Sequence, residues 1–134
     1  MVVPLSTLAN WSKELKKWGA GMNVITYQGK KANRDKIREC EFDRSDGRFG
    51  FNVLLTTYET VTTDADVLGE ISWKCLLVDE AHRLKNHASQ WHETLKNFNH
   101  RHRVLITGTP LQVGISSRVS ALVAAIPLSR QALY

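Results

Sequence analysis

Four short apolar runs punctuate the chain: NVITY (23–27), FNVLLTTY (51–58), KCLLVD (74–79) and HRVLITG (102–108). They are continuous rather than alternating, rich in Val, Leu and Ile, and too short for helices. That is the pattern of strands buried on both faces of a parallel sheet. Helical patterns lie between them. STLANWSKELKKW (6–18) spaces Leu8, Trp11, Leu15 and Trp18 three and four apart, with Ser6 or Thr7 as N-cap and Gly19 as terminator. The spacing predicts an amphipathic helix with both tryptophans on its core face. KKANRDKIRECEF (30–42) and SQWHETLKNF (89–98) predict shorter, more polar helices, and DRSDGRFG (43–50) a loop. Strands alternating with helices predict an α/β fold. No internal repeat, low-complexity tract or linker divides the chain before residue 113.

Composition narrows the class only slightly. With 134 residues there is room for one domain or one lobe of a larger one, and 43% hydrophobic with 23% charged residues is ordinary for a globular chain. The apolar runs are far too short to span a bilayer as helices. A formal charge of +5 favours an anionic partner such as nucleic acid. The lysine-rich stretches 13–17 and 30–36 read first as solvated helix faces. Cys40 and Cys75 stand far apart with no signal peptide before them, which points to a reducing compartment and to neither a disulfide nor a structural zinc.

Chemistry enters where the strands end. Ligands of an open parallel sheet bind beyond the carboxyl ends of its strands, so the residues following each run share one rim. That rim collects Asp79 and Glu80 from LLVDEAH, Thr107, Gly108 and Thr109 from VLITGTP, and Thr56, Thr57 and Glu59 from VLLTTYE. An aspartate at a strand end can hold a hydrated Mg²⁺ that bridges phosphates, and a neighbouring glutamate can orient and deprotonate an attacking water. Each residue also has a plainer reading. Asp79 could cap the following helix, Ser6 and Thr7 could cap the first one, and Thr56 and Thr57 could be ordinary β-branched strand residues. HETLK (92–96) lacks the second histidine of a zinc-protease HExxH, which excludes that chemistry, and no histidine spacing forms a metal site.

Taken together, VVPLSTLANW, LLTTYE, LLVDEAHRLKN and HRVLITGTPLQ, in this order between residues 2 and 112, resemble consecutive motifs of the first RecA-like lobe of Snf2-family DNA-dependent ATPases. The intervening MNVITYQGKKANRDKIRECEF resembles the chromodomain-helicase-DNA-binding (CHD) chromatin remodellers within that family. The resemblance implies a partial RecA-like, P-loop NTPase type parallel sheet flanked by helices, forming a helicase ATP-binding lobe over residues 1–112. It implies ATP and Mg²⁺ as ligands of the complete motor, DNA and the nucleosome as partners, no membrane, and the nucleus as location. It also implies residue roles. Asp79 and Glu80 match the Walker B pair, Asp79 helping to hold Mg²⁺ through water and Glu80 activating the hydrolytic water. His82 matches the DEAH histidine that links the nucleotide site to the DNA-contacting elements, with Arg83, Lys85 and Asn86 completing the signature. Thr107, Gly108 and Thr109 match the motif that couples hydrolysis to movement between lobes. Ser6, Thr7, Thr56 and Thr57 match positions that touch DNA phosphates, a task that suits hydroxyls because they position a backbone without reading sequence. DEAH-type RNA helicases are a second resemblance, but they carry S-A-T where this chain has Thr107-Gly108-Thr109.

Two features cut against an active enzyme. The phosphate-cradling GxxxxGK[ST] does not occur: the only Gly-Lys pair, Gly29-Lys30, has Val24 in place of the first glycine and Lys31 in place of the hydroxyl. The loop, its strand and the second RecA-like lobe are therefore expected to lie outside these residues. The expectation is that the chain alone binds no nucleotide tightly and neither hydrolyses ATP nor remodels nucleosomes. The other class of reading is a non-catalytic basic module that binds DNA or a protein. After Gln112 the text departs from the family, and residues 113–134 contain no Asp or Glu. The preferred reading is a gene read into an intron or another frame; the alternative is a divergent helix with Val119, Leu122, Val123 and Ile126 on one face.

Overall fold

A computed structural model of the protein describes residues 1–42, 48–81 and 90–107. His82, Arg83, Lys85, Asn86, Gly108, Thr109, most of the loop at 43–50 and the tail at 113–134 lie outside the described residues. The elements are β1 (Val2–Val3), α1 (Leu8–Trp18), β2 (Val24–Tyr27), α2 (Lys31–Glu41), β3 (Val53–Thr57), α3 (Tyr58–Thr63), α4 (Ala65–Gly69), β4 (Trp73–Val78), α5 (Gln90–Asn97) and β5 (His100–Leu105). The strands form one sheet in the order β2-β3-β1-β4-β5, parallel at every junction. The α/β expectation holds, and the four anticipated strands are β2, β3, β4 and β5. The additional strand, β1, is only two residues long and sits at the centre.

Handedness assigns the helices to faces. A crossover between parallel strands is right-handed, so its helix lies on one face when the chain moves one way across the sheet and on the other face when it moves back. Among the described connections only β1 to β2 runs in its direction, and α1 is the described helix on that face, where Leu8, Trp11 and Leu15 meet Val3 and Leu55. The other connections run the opposite way. Their helices share the second face, where Val61, Leu68 and Leu95 join Val2, Leu54, Leu76 and Val78. Alternate residues of the strands point to opposite faces, so neighbours such as Val2 and Val3, or Leu54 and Leu55, are buried in different cores.

Helix α1 ends where the sequence predicts. Lys16 and Lys17 in its last turn complement the negative end of the helix dipole, and the Gly19 N–H donates to Leu15 O at 2.8 Å. A Cβ at position 19 would lie 2.5 Å from that same oxygen, so the stop requires glycine. Trp18 corrects the sequence reading. It is 73% exposed and donates its indole N–H to Glu14 one turn earlier at 2.7 Å, outside the core assigned to it.

The second core is pinned by a buried polar cluster. Arg34 on α2 donates Nε to Asp64 Oδ2 at 2.7 Å and Nη2 to Oδ1 at 3.0 Å, a bidentate pair nearly closed to solvent. Tyr27 donates its hydroxyl to Asp64 Oδ2 at 2.5 Å, and Arg34 Nη1 reaches the carbonyl of Gly29 at 2.5 Å. Asp64 closes α3 and opens α4, so one carboxylate ties α2, β2 and the helix junction together. Burial would raise the Asp64 carboxyl, but the hydrogen bonds from Arg34 and Tyr27 outweigh it and hold the group below its ordinary value. Burial, and then the bond to Asp64, pushes the Tyr27 phenol up to about 12.

The phenol shift has a signed consequence. An unfolded chain releases this proton near its ordinary value of 10.0, whereas the folded chain holds it to about 12. The stabilisation is therefore whole below the lower value and is lost as pH rises towards the upper one. Denaturant titrations across that alkaline window, with tyrosinate absorbance as a second probe, are expected to show stability falling in step with ionisation. Tyr27→Phe is expected to flatten the dependence. An unchanged alkaline slope in that variant would place the ionising group elsewhere.

Candidate nucleotide-hydrolysis site

Strands β1 and β4 lie side by side, yet the connection leaving β1 goes to one side of the sheet and that leaving β4 to the other. A crevice opens beyond the carboxyl ends at such a switch point. Asp79 follows β4 directly. Its N–H donates to Val2 O of the neighbouring strand at 2.9 Å, and its carbonyl accepts the hydroxyl of Tyr58, the first residue of α3. Oδ1 accepts the Glu80 N–H at 2.9 Å, and Oδ2 accepts the indole N–H of Trp11 at 2.7 Å. Asp79 is 8% exposed and has no cationic partner among the described residues.

Glu80 has φ of +53°, the one positive value among the described non-glycine residues. A side chain beyond Cα makes this left-handed conformation costly, by about 1–2 kcal/mol. It persists because its flanks are fixed. Ile106 donates its N–H to Val78 O at 2.8 Å, and Ala81 donates to Ile106 O at 2.8 Å. The chain is thus clamped between β1 on one side and the extension of β5 on the other, and the reversal at Glu80 sends its carboxylate away from the direction a continuing strand would give it. Backbone cost of this kind gathers where a side chain must be aimed.

The other residues marked by the sequence divide into groups. Ser6 is exposed and Thr7 half-buried. Thr7 stands at the N-cap position of α1, but its hydroxyl donates to Pro4 O at 3.2 Å and caps no helix N–H. Thr56 and Thr57 are buried at the end of β3. The Thr56 hydroxyl donates to Tyr27 O at 2.7 Å, while Thr57 Oγ1 caps α3 by accepting the Thr60 N–H at 3.3 Å and lies 3.0 Å from Thr60 Oγ1. Thr107 follows β5 on the same rim as Asp79 and Glu80; His82, Gly108 and Thr109 lie outside the described residues.

Two residues whose side chains contact Asp79, Trp11 and Tyr58, were given no place in the site by sequence. Trp11 does pack at the core face of α1, as its spacing predicts. The missed signal is chemical: a Trp or Tyr taken out of water brings a donor that needs a partner. Two such residues, packed on opposite faces of the sheet, here converge on one aspartate, Trp11 on its carboxylate and Tyr58 on its backbone carbonyl.

Among the described residues no group of three or more His, Cys, Asp or Glu gathers into a cage for a metal. The arrangement offers a buried carboxylate with one donor on each oxygen, leaving a lone pair on each, beside a second carboxylate on a constrained backbone. It can hold a hydrated cation and direct a water.

A model of the family described as the SNF2-related domain matches residues 1–128. Protein CHROMATIN REMODELING 5 of Arabidopsis thaliana is 53% identical over 115 residues, covering 84% of this chain and 7% of that protein. CHD3-type chromatin-remodeling factor CHR7, also of Arabidopsis thaliana, is 50% identical over 113 residues, covering 84% of this chain and 9% of the relative. Chromodomain-helicase-DNA-binding protein 1 of Homo sapiens is 46% identical over 123 residues, 91% of this chain and 7% of its own length. Among solved structures, the Sulfolobus solfataricus SWI2/SNF2 ATPase core in complex with dsDNA superposes with a TM-score of 0.67 at 30% identity. That match covers 81% of this chain and 20% of the solved one. The chain therefore spans less than a tenth of these curated relatives.

Proposed function

The chain belongs to the SNF2-related domain family, and on that footing we propose that it is part of the first RecA-like lobe of an ATP-driven motor of the CHD remodeller kind. In the complete protein that motor would translocate along DNA and act on nucleosomes in the nucleus. The observation that carries the reading is the pair at the end of β4: a buried Asp79 gripped by hydrogen bonds, followed by Glu80 held at φ of +53°. A core without that purpose would have little reason to keep either cost.

The residues present fit Mg²⁺. A small hard cation that keeps most of its waters and shares phosphate oxygens needs one or two protein carboxylates rather than a cage. Asp79 meets that need, and would hold the ion through water with the lone pairs that its two described donors leave open. When bound, Mg²⁺ neutralises phosphate charge and orients the reacting phosphoryl group of ATP. Glu80 orients the attacking water and accepts its proton. Thr107, Gly108 and Thr109 relay hydrolysis to the facing lobe, and His82 links the same rim to DNA. Ser6 would supply an accessible contact to DNA phosphates, and Thr7, half-buried with its hydroxyl and N–H both turned to Pro4 O, would have to release that oxygen to make the same contact. Thr56 and Thr57, whose hydroxyls are already engaged inside the chain, support that surface by fixing the β3–α3 turn.

These residues contain no GxxxxGK[ST], and phosphoryl transfer depends on positioning and charge stabilisation that such a loop supplies. The chain by itself is therefore expected to show no ATP turnover above a Glu80→Gln control. A chimera in which residues 1–112 replace the corresponding stretch of a full-length relative is expected to hydrolyse ATP with DNA stimulation. An inactive but folded chimera would refute the motor reading. The net charge of +5 favours, as the second reading, a basic module that binds DNA without catalysis. It would be supported if the isolated chain bound DNA with a steep salt dependence while the chimera stayed inactive.

A further inference from the structure

The hydrogen bond between Trp11 and Asp79 joins two elements that the chain separates widely, helix α1 and the end of β4. The position of the indole is set independently of that bond, because its ring packs with Leu15 against Val3, Leu8 and Leu55. The carboxylate, by contrast, has only two described donors to fix its plane, the adjacent Glu80 N–H on Oδ1 and the Trp11 N–H on Oδ2. Removing the second leaves rotation about the side chain unrestrained on the side facing α1. From this geometry we propose that Trp11 is the positioning residue of the cation site: its indole N–H fixes Oδ2 so that the lone pairs of Asp79 face the crevice.

The inference rests on the motor reading, since it assumes that Asp79 serves a cation. It goes further in assigning a role to a residue that the periodicity of α1 places merely in the core. Tyr58 does not duplicate the role, because it bonds the Asp79 carbonyl and leaves the carboxylate untouched. Trp18 is the natural control, with the same helix, the same side chain and a hydrogen-bonded N–H, but directed at Glu14 on the exposed surface. Partners in the outer shell of a metal site typically contribute about 10–100-fold in metal affinity or activity. An ion held by a single protein carboxylate depends heavily on that carboxylate's orientation.

The test uses the full-length chimera with a non-hydrolysable ATP analogue and Mn²⁺ as the probe ion, bound ion being read from the loss of the free-ion electron paramagnetic resonance signal. Trp11→Phe keeps the ring and removes the N–H. It is expected to weaken Mn²⁺ binding about 10–100-fold, with the thermal midpoint little changed and ATP turnover largely restored by excess Mg²⁺. Trp18→Phe is expected to bind Mn²⁺ as the parent does. Equal Mn²⁺ affinity in parent and Trp11→Phe would overturn the proposal, and so would a turnover defect that excess Mg²⁺ leaves untouched. If Trp11→Phe fails to fold, fluorine NMR of fluorotryptophan-labelled parent decides: Mn²⁺ is expected to broaden the Trp11 resonance before those of Trp18, Trp73 and Trp91, and uniform broadening would overturn the assignment. A parent chimera without ATP turnover would instead defeat the motor reading and this inference with it, whereas an active parent beside an unaltered Trp11→Phe defeats this inference alone.

Discussion

Glu80→Gln in the full-length chimera is expected to lower DNA-stimulated ATP turnover about 10²–10⁴-fold, the usual worth of a positioned general base. Nucleotide and DNA affinities should stay within a few-fold of the parent. The substitution is close to isosteric and leaves the φ of +53° as costly as before, so it isolates the proton-accepting oxygen. Glu80→Gly separates the carboxylate from its backbone. Glycine occupies the left-handed region without a side-chain penalty but gives up more freedom on folding, so that variant is expected to be more stable than the parent by about 1 kcal/mol or less and just as inactive. A gain in stability with a loss of activity marks a residue retained for chemistry. Phosphate release and thermal unfolding measured on the same preparations decide the matter. Turnover at the parental rate in Glu80→Gln would remove Glu80 from the mechanism.

Arg34→Ala is expected to destabilise the fold by about 3–5 kcal/mol, because breaking one side of a buried ion pair leaves the other charge uncompensated. Asp64 would keep the Tyr27 hydroxyl but lose the two guanidinium bonds that hold it. Most of the cost is the stranded charge rather than the worth of the pair. Replacing both partners together, as Arg34→Met with Asp64→Leu, is accordingly expected to recover much of the loss. Acid adds a second signature. The Asp64 carboxyl lies below its ordinary value of 3.8 in the folded chain. Its contribution is therefore complete above that value and lost as pH falls through the lower folded one. Denaturant midpoints of the parent are expected to drop in that acidic window, and those of the double variant to drop less. A double variant no more stable than Arg34→Ala would show that the cluster is worth more than the charge it hides.

The legibility of this chain depended on how local each signal was. Strands β2 to β5 showed through Val-, Leu- and Ile-rich runs, the signature of a parallel strand covered on both faces. Only β3 is buried almost throughout, while β4 carries exposed Lys74 and Cys75 and β5 exposed Arg101, His102 and Arg103. Strand β1 did not, since Val2–Val3 between Met1 and Pro4 carries no periodicity; only its neighbours make it a strand. Helices α3 and α4 were missed because YETVTT is rich in β-branched residues and continues an apolar run. What turns the chain there is the Thr57 cap on Thr60. Trp11 and Trp18 share an angular position on α1, and periodicity placed both inside. It fixes the side of a helix but not how far the sheet extends beneath it, so Trp11 is packed while Trp18 is out in solvent. Asp79 and Glu80 were legible as carboxylates following a buried strand. The left-handed backbone of Glu80 was not, because it is imposed by hydrogen bonds from β1 and the end of β5, strands distant in sequence.

The short central strand also governs the order in which this fold can be made. Val2 and Val3 align with Thr56 and Thr57 on one side, and Val2 with Val78 on the other. Among these strands β1 therefore stays unpaired until β3 has emerged, and half-paired until β4 follows. Both closures span long loops whose entropy must be met before their hydrogen bonds form. During that interval β2 and β3 can pair as a local unit with an open inner edge, a template for another nascent chain as much as for β1. On this topology these five strands are most open to mispairing after Thr57 has been added and before Val78 has.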